Sequence, residues 1–201
     1  MNEKNINTKL AHTGDIELSK KLANCVSVPK VLPIYMSSVF SFDDVPTLDA
    51  VYAGEASGYV YSRMSNPGTD AVEMALASIE GEKAAGALVF SSGMAAISCM
   101  FEQFAPGDHI VCSEDLYGGT VLLFDSIGKK NGLQMHLVDT TDAPTLRAAI
   151  TPGTRAVYIE TPSNPMMNVT DIRLCAELAH SVGAILIVDN TFLSPYFQNP
   201  I

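Results

Sequence analysis

The sequence predicts an α/β fold, a mostly parallel sheet flanked by helices, and three observations carry that prediction. Short apolar runs rich in β-branched residues alternate with stretches of helical spacing from Thr69 onward. Glycine or a polar capping residue stands at many of the junctions between them. The run Ala184-Ile185-Leu186-Ile187-Val188 places five apolar residues together, the pattern of a parallel strand buried on both faces.

The elements follow in order. Pro29, Pro33 and Pro46 interrupt the first 60 residues, which read as an extended arm with a short helix near 45–53. Thr69 or Asp70 can cap a helix bearing Val72, Ala75, Leu76 and Ile79, and Gly81 ends it. Gly86–Phe90 reads as a strand and Met94–Phe104 as a helix. His109–Cys112 reads as the next strand, followed by a helix near Thr120–Lys130 that Gly132 closes. Strand Gln134–Val138, helix Ala143–Ile150, strand Ala156–Glu160, helix Asp171–Val182 and strand Ile185–Val188 complete the series. Strands and helices alternating at this spacing imply βαβ units. The organisation expected is an arm over 1–60 and an α/β domain over 61–201.

Composition narrows the function. The 201 residues are 47% hydrophobic and 17% charged, which fits a packed interior. A net charge of −10, with no basic cluster beyond Lys20-Lys21 and Lys129-Lys130, argues against nucleic-acid binding. Met1–Leu10 is polar and unlike a secretory signal, and no apolar run approaches the roughly 20 residues of a membrane span. Cys25, Cys99, Cys112 and Cys175 lie far apart and read as free thiols of a cytoplasmic protein. The four histidines are equally scattered, so no metal site is expected.

Chemistry gathers in the turns that follow strands. Ser91-Ser92-Gly93-Met94 leads from a strand into a helix, where backbone N–H groups and a glycine can cradle an anion and serine hydroxyls add donors. A plain turn is the competing reading, and neither common nucleotide-loop motif is matched. Tyr117, beside Gly118 and Gly119, can lay its ring face on an aromatic cofactor or simply pack in the core. Asn164 stands between Pro162 and Pro165, which restrict the backbone and aim its carboxamide. Asp189 follows the last strand, where it either caps the strand end or holds a cationic group. Before the sheet, Tyr61 and Arg63 alternate in what reads as extended chain, a clamp for an oxyanion or phosphate, or else a packed ring and a surface ion pair.

Together the segments Y-S-R-M-S-N-P, S-S-G-M-A-A, D-L-Y-G-G-T, E-T-P-S-N-P and V-D-N-T-F resemble, in order and spacing, the pyridoxal-phosphate enzymes of cysteine and methionine metabolism. That family includes cystathionine γ-synthases, cystathionine γ- and β-lyases, methionine γ-lyases and O-acetylhomoserine sulfhydrylases, and the resemblance runs from about Thr13 to Ile201. It implies the large domain of an aspartate aminotransferase-like, fold type I enzyme with pyridoxal 5′-phosphate as cofactor. Ser92, Gly93 and Met94 would bind the phosphate, aided by Tyr61 and Arg63 serving a neighbouring subunit. Tyr117 would stack on the pyridine ring, Asn164 would bond its hydroxyl oxygen, Asp189 would pair with its nitrogen, and Thr191 would lie against the opposite face.

The same resemblance implies a lysine in an S-x-T-K motif downstream of V-D-N-T and a C-terminal substrate domain. This sequence contains no such motif; its last lysine is Lys130. The expectation is therefore a chain with no catalytic residue of its own and no turnover alone. The partners implied are small sulfur amino acids and further copies of the chain, in a dimer-based tetramer. Gly119, where methionine γ-lyases commonly carry cysteine, counts against that activity. Cystathionine γ-synthesis or γ-elimination is the leading expectation, with β-lyase or O-acetylhomoserine sulfhydrylase as alternatives inside the family. Outside catalysis the alternatives are a non-catalytic cofactor-binding half-protein and a truncated product that needs a complementary fragment.

Overall fold

The computed structural model describes residues 30–201. The readings for Met1–Leu10, Lys20-Lys21, Cys25 and Pro29, and for the arm as far as residue 29, lie outside the described residues. The chain divides into two compact units, Met1–Gly68 and Thr69–Ile201.

In the first unit, α1 spans Val45–Tyr52. Asp44 caps it, its Oδ1 accepting from Thr47 N at 2.8 Å, and Pro46 sits in the first turn where its missing N–H is not needed. Hydrogen bonds from Thr47 hold the Asp44 carboxyl below its ordinary range. Val39 and Tyr61 form an antiparallel bridge, with Phe40 N donating to Val60 O and Ser62 N to Ser38 O. The extended chain expected through Tyr61 and Arg63 is instead a turn, because Met64 N and Ser65 N both donate to the Tyr61 carbonyl. The turn still brings the pair together. Arg63 Cζ lies 5.4 Å from the Tyr61 ring centroid, a cation–π contact.

In chain order the following elements are α2 (Pro67–Glu80), α3 (Gly93–Phe101), β1 (His109–Ser113), α4 (Gly118–Asn131), β2 (Gln134–Val138), α5 (Ala143–Ala149), β3 (Thr154–Glu160), α6 (Ile172–Ser181), β4 (Ile185–Asp189) and α7 (Ser194–Phe197). The four strands form one wholly parallel sheet in the order β2-β1-β3-β4. Strand alternation sends side chains to two faces. Ile110, Cys112, Ala156 and Tyr158 pack with Phe101 of α3 and Phe124 and Ile127 of α4. Val111, Val157 and Ile159 pack on the other side with Leu146 of α5 and Cys175 and Ala179 of α6. The result is three layers, helix on sheet on helix.

Local chemistry accounts for the boundaries. Asp142 and Asp171 cap α5 and α6 through the backbone N–H groups of Thr145 and Leu174. Asp171, read above as the first helical residue, is thus the cap. Gly132 ends α4 at φ 69°, the left-handed conformation that glycine takes most readily.

Three further expectations change. Helix α2 begins at Pro67, ahead of the expected Thr69 or Asp70, since proline's fixed φ suits a first helical position. Gly86–Phe90 pairs with no strand among the described residues, and Leu88 is 75% exposed. Nor is β4 buried on both faces. Among the described residues it pairs only with β3, at the edge of their sheet, and Ile185 is 47% exposed.

Candidate functional site

Strand order reverses between β1 and β3: one crossover from β1 leads to β2 on one side, and the next leads to β3 on the other. The carboxyl ends of such neighbours open a crevice where α/β sheets bind ligands. A cavity of about 320 Å³ lies there, near the lower end of small-molecule sites, which span about 300–1,000 Å³. Ser92, Gly93 and Met94 line it from α3, Tyr117 and Thr120 from the start of α4, and Glu160 and Asn164 from the end of β3 and its loop. Asp189 and Thr191 close it from the end of β4, with Ile97, Pro162 and Phe192 as apolar walls.

The N-terminus of α3 supplies donors. Ser92 is extended and caps the helix, its Oγ accepting from Ala95 N at 3.1 Å, which leaves its own O–H to donate. The next amides are among those that a helix leaves without intrahelical partners, and α3 has no acidic residue in its first turn to compete for them. A Cβ added at Gly93 would meet nothing within 4 Å. The protein thus leaves the space over that backbone open to a ligand.

Tyr117 is 50% exposed, which sets aside the core reading. A Cβ at Gly119 would come within 2.5 Å of Tyr117 Cε1, so the glycine lets the ring lie across the first turn of α4. Glu160 Oε2 accepts from Tyr117 N at 2.9 Å, and Oε1 accepts from Asn164 N at 2.8 Å. The Thr161–Pro162 and Asn164–Pro165 peptide bonds are both cis. Asp115 Oδ2 accepts from Ser163 Oγ and from Asn168 Nδ2, tying the β1–α4 turn to the β3–α6 loop a second time.

Asp189 both turns the chain and faces the cavity. Its Oδ1 accepts from Thr191 N at 3.1 Å and Thr191 Oγ1 at 2.6 Å. Its Oδ2 accepts from Tyr158 Oη at 3.2 Å. A carboxylate has about four acceptor sites, so capacity for a ligand N–H remains. Burial, and then the Asp189 charge, push the Tyr158 hydroxyl far above its ordinary pKa, so it stays a donor. Burial also raises the Glu160 carboxyl, against the pull of the two backbone N–H groups it accepts from.

The structure therefore gathers Ser92, Gly93, Met94, Tyr117, Asn164, Asp189 and Thr191 about one cavity. Tyr61 and Arg63 belong to the other unit, where they meet each other. Sequence reasoning assigned no role to Thr120, Tyr158 or Glu160. A carboxylate closing an otherwise apolar strand, in Tyr158-Ile159-Glu160, was the signal available for the last.

A family model described as Cys/Met metabolism PLP-dependent enzyme matches residues 8–201. The chain belongs to that family. It is 41% identical over 196 residues to the cystathionine gamma-synthase/O-acetylhomoserine (thiol)-lyase of Bacillus subtilis, covering 98% of this chain and 48% of the relative. It is 43% identical over 157 residues to the cystathionine gamma-lyase of the same organism, covering 78% of this chain and 41% of the relative. The crystal structure of cystathionine gamma-lyase from Lactobacillus plantarum complexed with L-serine matches with a TM-score of 0.75 and 42% identity, over 84% of this chain and 41% of that one. The chain spans about half the length of the curated relatives it matches.

The cavity's donor set suits the cofactor of this PLP-dependent family. The open α3 amides fit a phosphate, the exposed Tyr117 ring fits a flat heteroaromatic, and Asp189 fits a protonated ring nitrogen. Thr120, fully buried, lines the same cavity beside the Tyr158 hydroxyl.

Proposed function

We propose that this chain forms the pyridoxal-phosphate cradle of a transsulfuration enzyme acting on sulfur amino acids, of the cystathionine γ-synthase or γ-lyase kind. The convergence of Gly93, Tyr117, Asn164 and Asp189 on one cavity carries the reading. Bound, the cofactor supplies an electron-withdrawing ring that stabilises negative charge at a substrate's α-carbon. The protein's part is positional and electrostatic. The amides of Gly93 and Met94 would hold the phosphate, and Tyr117 would cover one ring face. Asn164 would orient the ring through its hydroxyl oxygen, with Thr191 lying against the opposite face. Asp189 would keep a proton on the ring nitrogen, its carboxylate fixed from both sides by Tyr158 and Thr191.

The names of the relatives support γ-chemistry, and the cystathionine beta-lyase of Lactococcus lactis, 38% identical over 98% of this chain, keeps β-elimination as the second reading. Tyr61 and Arg63, exposed and paired in the first unit, would serve a neighbouring copy, which makes a dimer-based tetramer part of the proposal. The free thiols Cys99, Cys112 and Cys175 support action in the reducing cytoplasm. No described helix is long and apolar enough to cross a membrane.

The sequence holds no S-x-T-K lysine, so the proposal has the 201 residues bind the cofactor without turning over cystathionine. Equilibrium dialysis with pyridoxal phosphate, followed by assay for α-keto acid release, tests both parts. Saturable binding by the wild type, weakened in Asp189→Asn, supports the cradle; no binding by the wild type overturns it. Robust turnover by the chain alone overturns the claim that it is not catalytic by itself. Turnover restored by a separately expressed C-terminal half of a relative supports a split enzyme over a non-catalytic binding protein.

A further inference from the structure

Glu160 is the last residue of β3 and sits where the strand order reverses. It is only 6% exposed. A carboxylate so placed is expensive to bury unless it is fully hydrogen-bonded. Its neighbours do not ease that cost. Asp189 and Asp115 both bear on it with like charge, and no ion pair among the described residues includes it. What it has instead is one backbone N–H for each oxygen, from Tyr117 at the start of α4 and from Asn164 in the loop after β3. Tyr117 makes no side-chain cap for α4, so the Glu160 carboxylate stands as the anion at that helix start.

Resting on the cofactor reading above, we propose that Glu160 is a positioning residue that sets the gap between the Tyr117 ring and the Asn164 carboxamide. Tyr117 grips a bound ring by its face and Asn164 by its edge. Each is held at its backbone by one oxygen of a single planar group, so neither loop can shift without pulling on the other. The carboxylate is required because both oxygens must accept. A glutamine of the same size offers one acceptor and turns an NH₂ group towards the other amide.

Glu160→Gln in the full 201-residue chain is the test, read three ways. Amide hydrogen exchange at Tyr117 or Asn164 should accelerate about tenfold or more, while Val157 and Ile159 in β3 keep their protection and so report an intact fold. Equilibrium dialysis should show pyridoxal phosphate binding weakened by roughly tenfold. The induced circular dichroism of the bound cofactor, which a purely structural role would leave unchanged, should shrink. Through-hydrogen-bond couplings from the Tyr117 and Asn164 amides to the Glu160 carboxylate carbon, measured in wild-type protein, need no variant. Failure of wild-type protein to take up pyridoxal phosphate overturns the cofactor reading. Unchanged exchange at both amides, absent couplings, or wild-type binding and dichroism in the variant each overturn the role of Glu160.

Discussion

Tyr158 Oη donates to Asp189 Oδ2 at 3.2 Å, joining two neighbouring parallel strands at the edge of the cavity. The hydroxyl is held in place from behind. The Tyr158 ring is 1% exposed and packs between Phe101 and Phe124, with centroids 5.6 and 5.1 Å away. One face of the sheet thus serves the site: it packs the tyrosine, and the end of the neighbouring strand presents on that same face the carboxylate it steadies. Thr191 fixes the other carboxylate oxygen, so Asp189 is preorganised before any ligand arrives.

Removing the steadying group and removing the charge should therefore differ in size. Tyr158→Phe keeps the ring and loses one hydrogen bond, about 0.5–1.5 kcal/mol, and should weaken pyridoxal phosphate binding several-fold. Asp189→Asn loses a charge-assisted bond, about 1.5–3 kcal/mol, and should weaken binding roughly ten- to hundredfold. Equilibrium dialysis on the two variants ranks them. Equal losses would mean that Tyr158 acts through the fold and not through Asp189.

Gly119 and Tyr117 offer a separate test, because their conflict is local. Alanine at 119 puts a methyl group 2.5 Å from Tyr117 Cε1, and the half-exposed ring must swing aside. Helix propensity favours alanine by up to about 1 kcal/mol, so stability should hold or rise slightly. The induced circular dichroism of bound cofactor should fall while the thermal midpoint does not. An unchanged signal would place the stacking ring elsewhere.

The strands that pack on both sides were legible because their alternation and β-branched content state a wish for burial, and β1 and β3 obtain it. The same wish is written in Ile185–Val188, yet a hydrophobic run records what a strand needs and not which neighbour satisfies it, so β4's edge position was invisible. Gly86–Phe90 fails for the same reason. The cavity-lining turns were legible as motifs, since glycine, proline and carboxylate leave local marks. Glu160 was not, because its role comes from two amides brought together by topology, one of them far away in sequence. Helix α7 escaped because Ser194–Phe197 is too short to show a period.

Asp171 caps α6 through Leu174 N at 3.0 Å, and its side chain is exposed, so its replacement isolates the cap. Asp171→Ala should lower stability by about 1 kcal/mol, a loss of a few degrees in thermal midpoint. Asp171→Asn, which can cap equally well, should recover most of it. Urea unfolding of the three proteins provides the comparison, and an alanine variant as stable as wild type would deny the cap its role.

Thiol reactivity should separate the described cysteines sharply. Cys99 is exposed, whereas Cys112 and Cys175 are fully buried. Burial pushes the Cys112 thiol far up and Cys175 up to about 11, so neither supplies thiolate near neutrality. A disulfide reagent at pH 8 followed by peptide mapping should label Cys99 rapidly in folded protein, and Cys112 and Cys175 only in denaturant. Fast native labelling of Cys175 would show that α6 opens from the sheet.

His109 predicts a pH dependence of stability whose sign follows from its surroundings. Partial burial, then the charge of nearby His136, lower its pKa below the ordinary value. Its Nδ1 lies 3.1 Å from Thr154 Oγ1, which accepts from Thr151 N and whose hydroxyl can donate to an unprotonated ring nitrogen. Above about pH 6.5, the unperturbed value, both folded and unfolded chains hold a neutral imidazole and this contribution is complete. As pH falls through that value, the unfolded chain takes up a proton that the folded chain resists, and stability declines until the folded pKa is passed. Urea midpoints at pH 7.5 and 5.5 should therefore drop more on acidification in wild type than in His109→Gln. A variant that loses as much as wild type would assign the acid sensitivity to other groups.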